Sequence, residues 1–121
     1  MAKYLTIEQL KTNLILGKPV EQWLSHEEKD DYRVLKWLRI DKEKDLSYSA
    51  TYFECFDDGN ADFTDIYEFS LLDPDGPEIV NVFTSIDDIL DIVKVAYEAS
   101  IEKFVPAGMI QEEYKLYLSR I

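Results

Sequence analysis

The sequence predicts an α+β fold, in which an antiparallel meander sheet of three to four strands has N-terminal and C-terminal helices packed on its apolar face. Three observations support this prediction. Helix signals lie toward both ends of the chain, strand-forming residues dominate its middle, and an Asp-Gly pair separates two of the strand segments. With 121 residues, 46% of them hydrophobic, the chain predicts a single domain over residues 1–121.

The first predicted element is a helix that begins after Thr6. Gln9 follows three residues later, which is the spacing of a capping box. Gly17 predicts the end of this helix, because glycine accepts the left-handed backbone that often terminates helices. Pro19 then favours the start of a second, short helix over residues 19–24.

The middle of the chain predicts the sheet. Residues 32–40 are compatible with a helix or a strand, and their β-branched and aromatic residues beside a turn-like segment favour a strand. Residues 46–56 and 63–72 are rich in Tyr, Phe and Thr and predict two more strands. Asp58 and Gly59 between them predict a tight hairpin, because a type I′ turn needs positive φ at both central positions.

This hairpin register sorts side chains into an apolar and a polar face, as expected for a half-buried antiparallel sheet. The preceding strand adds Val34, Leu38 and Ile40 to the apolar face. The predicted apolar residues of the hairpin are Leu46, Tyr48, Ala50, Tyr52, Phe56, Phe63, Tyr67, Phe69 and Leu71.

The C-terminal third predicts a turn at residues 73–77, a short strand at 78–83 and two helices. Ser85 is placed to cap the first helix. Pro106 and Gly108 separate it from the last helix. The apolar stripes at helical spacing are Ile86, Ile89, Leu90, Val93, Ala96 and Tyr97 in the first helix, and Ile110, Tyr114, Tyr117, Leu118 and Ile121 in the last.

The charge of the chain limits its partners. The sequence has 25 acidic and 13 basic residues, for a formal net charge of −12. This charge disfavours nucleic-acid backbones and anionic lipid surfaces, and it favours encounter with a basic protein. Its lone Cys55 excludes an internal disulfide, and the N-terminus lacks the apolar core of a signal peptide. We therefore expect a cytoplasmic protein with no membrane contact.

The segment 51–69 raises the question of a metal site, because it combines six carboxylates with one glycine. An EF-hand register built on Gly59 places Phe56 at a ligand position, and phenylalanine cannot bind calcium. The hairpin turn is the favoured interpretation, and no cofactor is expected. A weak cation site at Asp57, Asp58, Asn60 and Asp62 is the alternative.

Two residue pairs could support catalysis. The predicted register brings Glu54 near Asp65, and proton transfer there would need a pocket that raises one pKa. Cys55 and His26 form the only conventional nucleophile and base, but nothing in the local sequence orients them. The usual phosphate, nucleotide, hydrolase and zinc motifs are absent from the sequence, and no motif identifies a family. We expect a protein without enzymatic activity.

The polar face of the predicted sheet also carries Trp37, Phe53 and Ile66. These residues form either one aromatic patch with an acidic rim, which suits a protein interface, or an ordinary scatter of apolar side chains. The predicted partner-binding residues are Trp37 and Phe53 as anchors, with Glu54, Asp57, Asp58, Asp62, Asp65 and Glu68 as acidic contacts.

The leading functional hypothesis is an inhibitor or immunity-type protein that neutralises a basic bacterial toxin, such as a nuclease, by occluding its cationic site. The comparison with immunity proteins rests on size and charge alone. One alternative is a small adaptor or subunit that binds a partner through Ile110, Tyr114 and Tyr117 of its last helix. Another is a carboxylate enzyme that uses Glu54 and Asp65.

Overall fold

The computed structural model describes residues 4–82 and 85–120, with helices and strands in alternating blocks. The elements are α1 (Ile7–Ile15), β1 (Val20–Glu28), β2 (Arg33–Lys42), β3 (Tyr48–Phe56), a 3₁₀ turn (Ile66–Glu68), β4 (Glu78–Val82), α2 (Ile86–Tyr97), β5 (Val105–Pro106) and α3 (Ile110–Ser119). The strands form one antiparallel sheet in the order β4-β3-β2-β1-β5. The α+β class is confirmed, but the sheet has five strands where three to four were predicted.

Helix α1 begins as the sequence predicts. The Gln9 amide N–H donates to the Thr6 hydroxyl at 3.1 Å, and the Gln9 side chain accepts from the Thr6 N–H at 3.0 Å. This reciprocal pair satisfies two amide groups that the helix itself leaves without partners. Leu10 and Leu14 face the core and are fully buried. The helix ends before Gly17, whose φ of 78° is left-handed.

The short helix predicted at residues 19–24 is wrong, because this segment belongs to strand β1. Val20 pairs with Ile40 of β2 and with Pro106 of β5, so pairing on both sides overrides the local helix signal. The register between β1 and β2 shifts between Trp23 and Ser25. The strand predicted at residues 32–40 is confirmed as β2.

Both faces of the sheet are covered, so the prediction of a single apolar face is wrong. Helices α1 and α2 pack on one face, and α3 with the 3₁₀ turn packs on the other. The first core contains Leu10, Leu14, Val20, Leu38, Ile40, Ala50, Ile89, Leu90, Val93, Ala99 and Phe104. The second contains Leu35, Trp37, Cys55, Ile66, Phe69, Ile110, Tyr114 and Tyr117. Strand β2 supplies large apolar side chains to both cores, which requires a cover on each side.

The predicted hairpin at Asp58 and Gly59 is also wrong. Strand β3 pairs with β4, from Tyr48 with Val82 to Tyr52 with Glu78. Residues 57–77, which we call the acidic connection, join the two strands. Residues 63–72 form no strand there, and only an isolated bridge joins Leu71 to Cys55.

Gly59 does not have a positive φ, unlike Gly17, Gly76 and Gly108, so it is not required for a left-handed backbone. It is required because there is no room for a side chain at this position. A Cβ atom added at Gly59 would lie 2.4 Å from the Phe63 carbonyl oxygen, 2.4 Å from the Phe69 ring and 2.7 Å from the Tyr114 hydroxyl. The backbone at Gly59 therefore packs directly against Phe69 and Tyr114 of the second core. The later turn at residues 73–77 is confirmed, with the Gly76 N–H donating to the Asp73 carbonyl at 3.1 Å.

The C-terminal elements follow their predictions closely. The Ser85 hydroxyl caps α2 by accepting the Asp88 N–H at 3.1 Å, and the strand at 78–83 is confirmed as β4. Phe83 and Ile121 lie outside the described residues. Several residues of the predicted apolar stripes and faces are instead exposed: Leu46, Phe63, Tyr67 and Ala96.

Candidate protein-interaction surface

Negative charge is concentrated in one stretch of the chain, a signal that was missed when the charge was considered only as a total. Residues 45–93 contain 13 of the 25 acidic residues and no Lys, Arg or His. The other 12 acidic residues are matched by all 13 basic residues. The net negative charge therefore comes entirely from β3, the acidic connection, β4, the start of α2 and their flanking residues.

The carboxylates between residues 45 and 82 are not neutralised by cations among the described residues. Lys11 pairs with Asp87 at 2.9 Å, and the acids that pair with Lys29, Arg33, Lys36, Arg39 and Lys115 lie outside this stretch. None of the carboxylates between residues 45 and 82 pairs with a described Lys or Arg. A surface of unpaired like charges attracts a cationic partner and repels an anionic one.

Three of the predicted acidic contacts lie exposed on the acidic connection: Asp58, Asp62 and Glu68. The Asp58 carboxylate accepts the Ser70 N–H at 2.7 Å, which ties the two ends of the connection together. The Asn60 side chain accepts the Asp62 N–H at 2.8 Å and stabilises the turn before Phe63. Asp62 and Glu68 are thus displayed to solvent on a backbone that is locally fixed.

Asp57 and Asp65 lie further inside than predicted. The Asp57 carboxylate accepts hydrogen bonds from the hydroxyls of Tyr114, at 2.5 Å, and Tyr117, at 3.2 Å. Burial and the adjacent Asp57 charge raise the pKa of Tyr114. One carboxylate oxygen of Asp65 is buried without a hydrogen-bond partner among the described residues. Asp57 therefore secures helix α3, and neither residue presents its whole carboxylate to a partner.

The predicted aromatic patch is wrong, because α3 and the 3₁₀ turn cover it. Trp37 is only 2% exposed and Ile66 only 1%. Phe53 is half-buried and stacks on Trp37, with ring centroids 4.0 Å apart and planes 9° apart. Two aromatic residues of the acidic connection are exposed instead, Phe63 at 41% and Tyr67 at 39%. These two side chains were wrongly assigned to the interior because the hairpin register was wrong.

Glu54 and Asp65 do not line a common groove, so the predicted carboxylate pair lacks the shared pocket that catalysis would need. Glu54 lines a groove of about 210 Å³ to which Asp65 does not contribute. The other lining residues are Tyr52, Leu71, Leu72, Asp73, Gly76, Pro77 and Glu78. Burial and the adjacent Glu54 raise the pKa of Tyr52. The Tyr97 hydroxyl donates to Glu78 at 2.9 Å, and burial with this contact raises the pKa of Tyr97 to about 12.

Cys55 and His26 do not form a catalytic pair. In the sheet, Leu35 of β2 lies between them, paired with His26 on one side and with Cys55 on the other. Two strand spacings separate their backbones by about 10 Å. Burial and the negative charges of Asp58 and Asp57 raise the pKa of the Cys55 thiol to about 12, which disfavours the reactive thiolate.

A buried polar cluster holds the acidic connection against the sheet. The Glu21 side chain on β1 is fully buried and lies 2.6 and 2.8 Å from the Tyr67 hydroxyl. It also accepts the Gly108 N–H at 2.9 Å and pairs with Arg39 at 3.3 Å. The connection, the sheet and the start of α3 therefore meet at one carboxylate, which we call the Glu21 clamp.

Within the part of the chain that the structure describes, no three His, Cys, Asp or Glu side chains converge to hold a metal ion. In the same residues, no helix has the length and apolar character needed to cross a bilayer. Comparisons with family models, curated proteins and solved structures find no match to this chain.

Proposed function

We propose that this chain is a non-enzymatic binding protein that recognises a basic protein partner through its acidic connection and neutralises that partner by occlusion. In its most concrete form, the partner is a toxin nuclease of bacterial origin, whose cationic site normally receives phosphates. Carboxylates on the acidic connection then occupy the positions that phosphates would take. Binding of this kind needs no catalytic group in the inhibitor.

The observation that supports this proposal is the segregation of charge. Residues 45–93 carry 13 acidic residues and no basic one, and their carboxylates between 45 and 82 have no described Lys or Arg partner. Carboxylates concentrated in one region repel one another and so oppose folding. A role in binding a cationic partner would explain why the chain has this arrangement. The same field would raise the association rate with a cationic partner, and the effect would fall with salt.

The proposed contact set is smaller than the one predicted from the sequence. It keeps the exposed Asp58, Asp62 and Glu68, and it replaces Trp37 with the exposed ring of Phe63. Interfaces commonly combine an aromatic centre with a polar rim, which this combination provides. Helix α3 is a poorer candidate surface, because Ile110, Tyr114 and Tyr117 are buried against the sheet.

The proposal is tested by capture from a lysate of the source cells, followed by isothermal titration with the captured protein. The test variant is Asp62→Lys with Glu68→Lys, which leaves the fold-stabilising carboxylate of Asp58 in place. The matched control is Asp30→Lys with Asp31→Lys, which makes the same change of net charge on exposed residues of the β1–β2 turn. A nuclease assay on the captured partner then measures neutralisation.

We expect capture of one basic protein whose nuclease activity is lost at equimolar inhibitor. The partner associates with the test variant about tenfold or more slowly than with the wild type, and the control variant slows association less. Higher salt reduces the difference between the two variants. A partner that is acidic, or equal weakening by the test and control variants, would contradict the proposal. A basic partner that retains full nuclease activity when bound would refute the inhibitory role.

A further inference from the structure

An open groove of about 430 Å³ lies between the β1–β2 end of the sheet and the end of α3, next to Asp57 at the start of the acidic connection. Its lining residues come from three elements: Trp23, His26 and Glu28 from β1, Arg33 from β2, and Tyr117 and Arg120 from or just after α3. Small-molecule sites in proteins are typically concave, of a few hundred Å³ and lined by aromatic residues with a few polar groups. The groove has each of these properties.

Three rings form a continuous aromatic wall in the groove. The Tyr117 ring lies 5.3 Å from Trp23 and 4.9 Å from His26, measured between centroids. Tyr117 is itself nearly buried, and Trp23 is half-buried, so the wall is supported from beneath by the second core. The more exposed rings of Trp23 and His26 are the ones available to a flat ligand ring.

The charge of the groove is opposite to that of the protein. Two arginines line it against one carboxylate, Glu28, although the whole chain carries a net charge of −12. The Arg33 Nε atom lies 3.4 Å from a Glu28 carboxylate oxygen, and the positive charge of Arg33 acts on the nearby Tyr117 hydroxyl. These contacts orient the guanidinium without using all of its five N–H donors. The nearby Asp57 carboxylate does not line the groove and accepts hydrogen bonds from two tyrosines.

We propose that this groove binds a small ligand in which a flat ring carries an anionic group, either a phosphate or a carboxylate. The ring stacks on Trp23 and His26, which Tyr117 supports from beneath, and the anion meets Arg33 and Arg120. Guanidinium groups bind both anions through paired hydrogen bonds. At physiological salt the screening length is about 8 Å, so carboxylates of the acidic connection beyond that distance are largely screened from the groove. The nearby Asp57 carboxylate is already hydrogen-bonded to Tyr114 and Tyr117. This site is independent of the proposed inhibitory function.

The two tryptophans allow a direct test. Trp23 lines the groove, whereas Trp37 is buried against Phe53 and does not, so their indole N–H signals in a ¹H–¹⁵N spectrum provide a reporter and an internal control. Trp23→Phe assigns the two signals. The protein is titrated separately with AMP, benzoate, adenosine and inorganic phosphate. The variants are Arg33→Gln and Arg120→Gln, with exposed Lys103→Gln as the charge-matched control.

We expect AMP or benzoate to shift the Trp23 signal saturably and to leave the Trp37 signal in place. Saturation by AMP alone identifies phosphate ligands, and saturation by benzoate alone identifies carboxylate ligands. The loss of a charge-assisted hydrogen bond in either arginine variant weakens binding about tenfold, whereas Lys103→Gln does not. The proposal is overturned if neither ligand shifts Trp23, if adenosine or phosphate alone binds as tightly, or if the Lys103 control weakens binding equally.

Discussion

The hydroxyl of Tyr67 and the carboxylate of Glu21 are 46 residues apart in the chain and 2.6 Å apart in the fold. Glu21 is fully buried on β1, and Tyr67 belongs to the acidic connection. Because a buried carboxylate is costly without hydrogen-bond donors, the contact gives the connection a defined position on the sheet. The proposed binding surface is thus rigidly attached at its centre rather than a loose loop.

Tyr67→Phe should destabilise the protein by about 2 kcal/mol, because it removes a hydrogen bond to a buried charged group. The free energy of unfolding in urea measures this loss. Tyr32→Phe is the control, since its side chain is 48% exposed, and it should cost less than about 0.5 kcal/mol. Equal effects of the two changes would show that the Glu21 clamp does not stabilise the fold.

Gly59→Ala should destabilise the protein by about 3 kcal/mol, because the new methyl group overlaps the Phe63 backbone and the Phe69 ring. Gly17→Ala is the matched comparison. Its added methyl meets nothing within 4 Å, and the change costs only about 1 kcal/mol for the left-handed backbone. Thermal or urea unfolding distinguishes the two. If Gly17→Ala proves the more harmful, the close packing at Gly59 is incorrect.

Stability should fall as the pH rises from about 10 to 12. Burial, with adjacent carboxylates, raises the pKa of Tyr52, Tyr67, Tyr97 and Tyr114 in the folded protein. Unfolded tyrosines lose their protons near pH 10, so in this window the unfolded chain binds fewer protons than the folded one, and alkali favours unfolding.

Urea unfolding at pH 9, 10 and 11 measures this alkaline loss, and tyrosinate absorbance near 295 nm reports ionisation directly. Tyr97→Phe should make the decline shallower, since the pKa of Tyr97 is raised to about 12. Identical tyrosinate absorbance for the folded protein and the urea-unfolded chain at pH 11 would rule out the raised pKa values.

Added salt should stabilise the free protein, because the carboxylates of residues 45–93 repel one another and salt screens that repulsion. Asp62→Lys with Glu68→Lys should reduce this dependence on salt and raise stability at low salt by about 0.5 kcal/mol. Asp30→Lys with Asp31→Lys provides the comparison at equal net charge. Urea unfolding between low and moderate NaCl concentration is the measurement, and a flat salt response of the wild type would argue against charge crowding.

The helices and the two central strands could be predicted from the sequence because their signals are local. Thr6 with Gln9 and Ser85 are capping residues whose hydrogen bonds close within three positions. Strand β2 was predicted from β-branched and aromatic residues beside a turn. In each of these elements the local preference and the tertiary packing agree.

The remaining errors arose where distant contacts override a local signal. Asp58 and Gly59 do not form the predicted hairpin, because β3 pairs with β4 instead. Gly59 is needed at its position because the neighbouring residues leave no room for a side chain. One pattern in the sequence does indicate the second core. Leu35 and Trp37 alternate with Val34 and Leu38 on β2, so both faces of that strand are apolar. A strand apolar on both faces is expected to be covered on both.

The two edges of the sheet differ in electrical character, because β4 and β3 belong to the stretch without basic residues, whereas β1 and β5 do not. The molecule therefore behaves as a polarised body whose orientation on a charged material is not random. An amine-coated resin or sensor chip would bind the β4 edge by charge attraction. The opposite edge, with Trp23, would then face the solution.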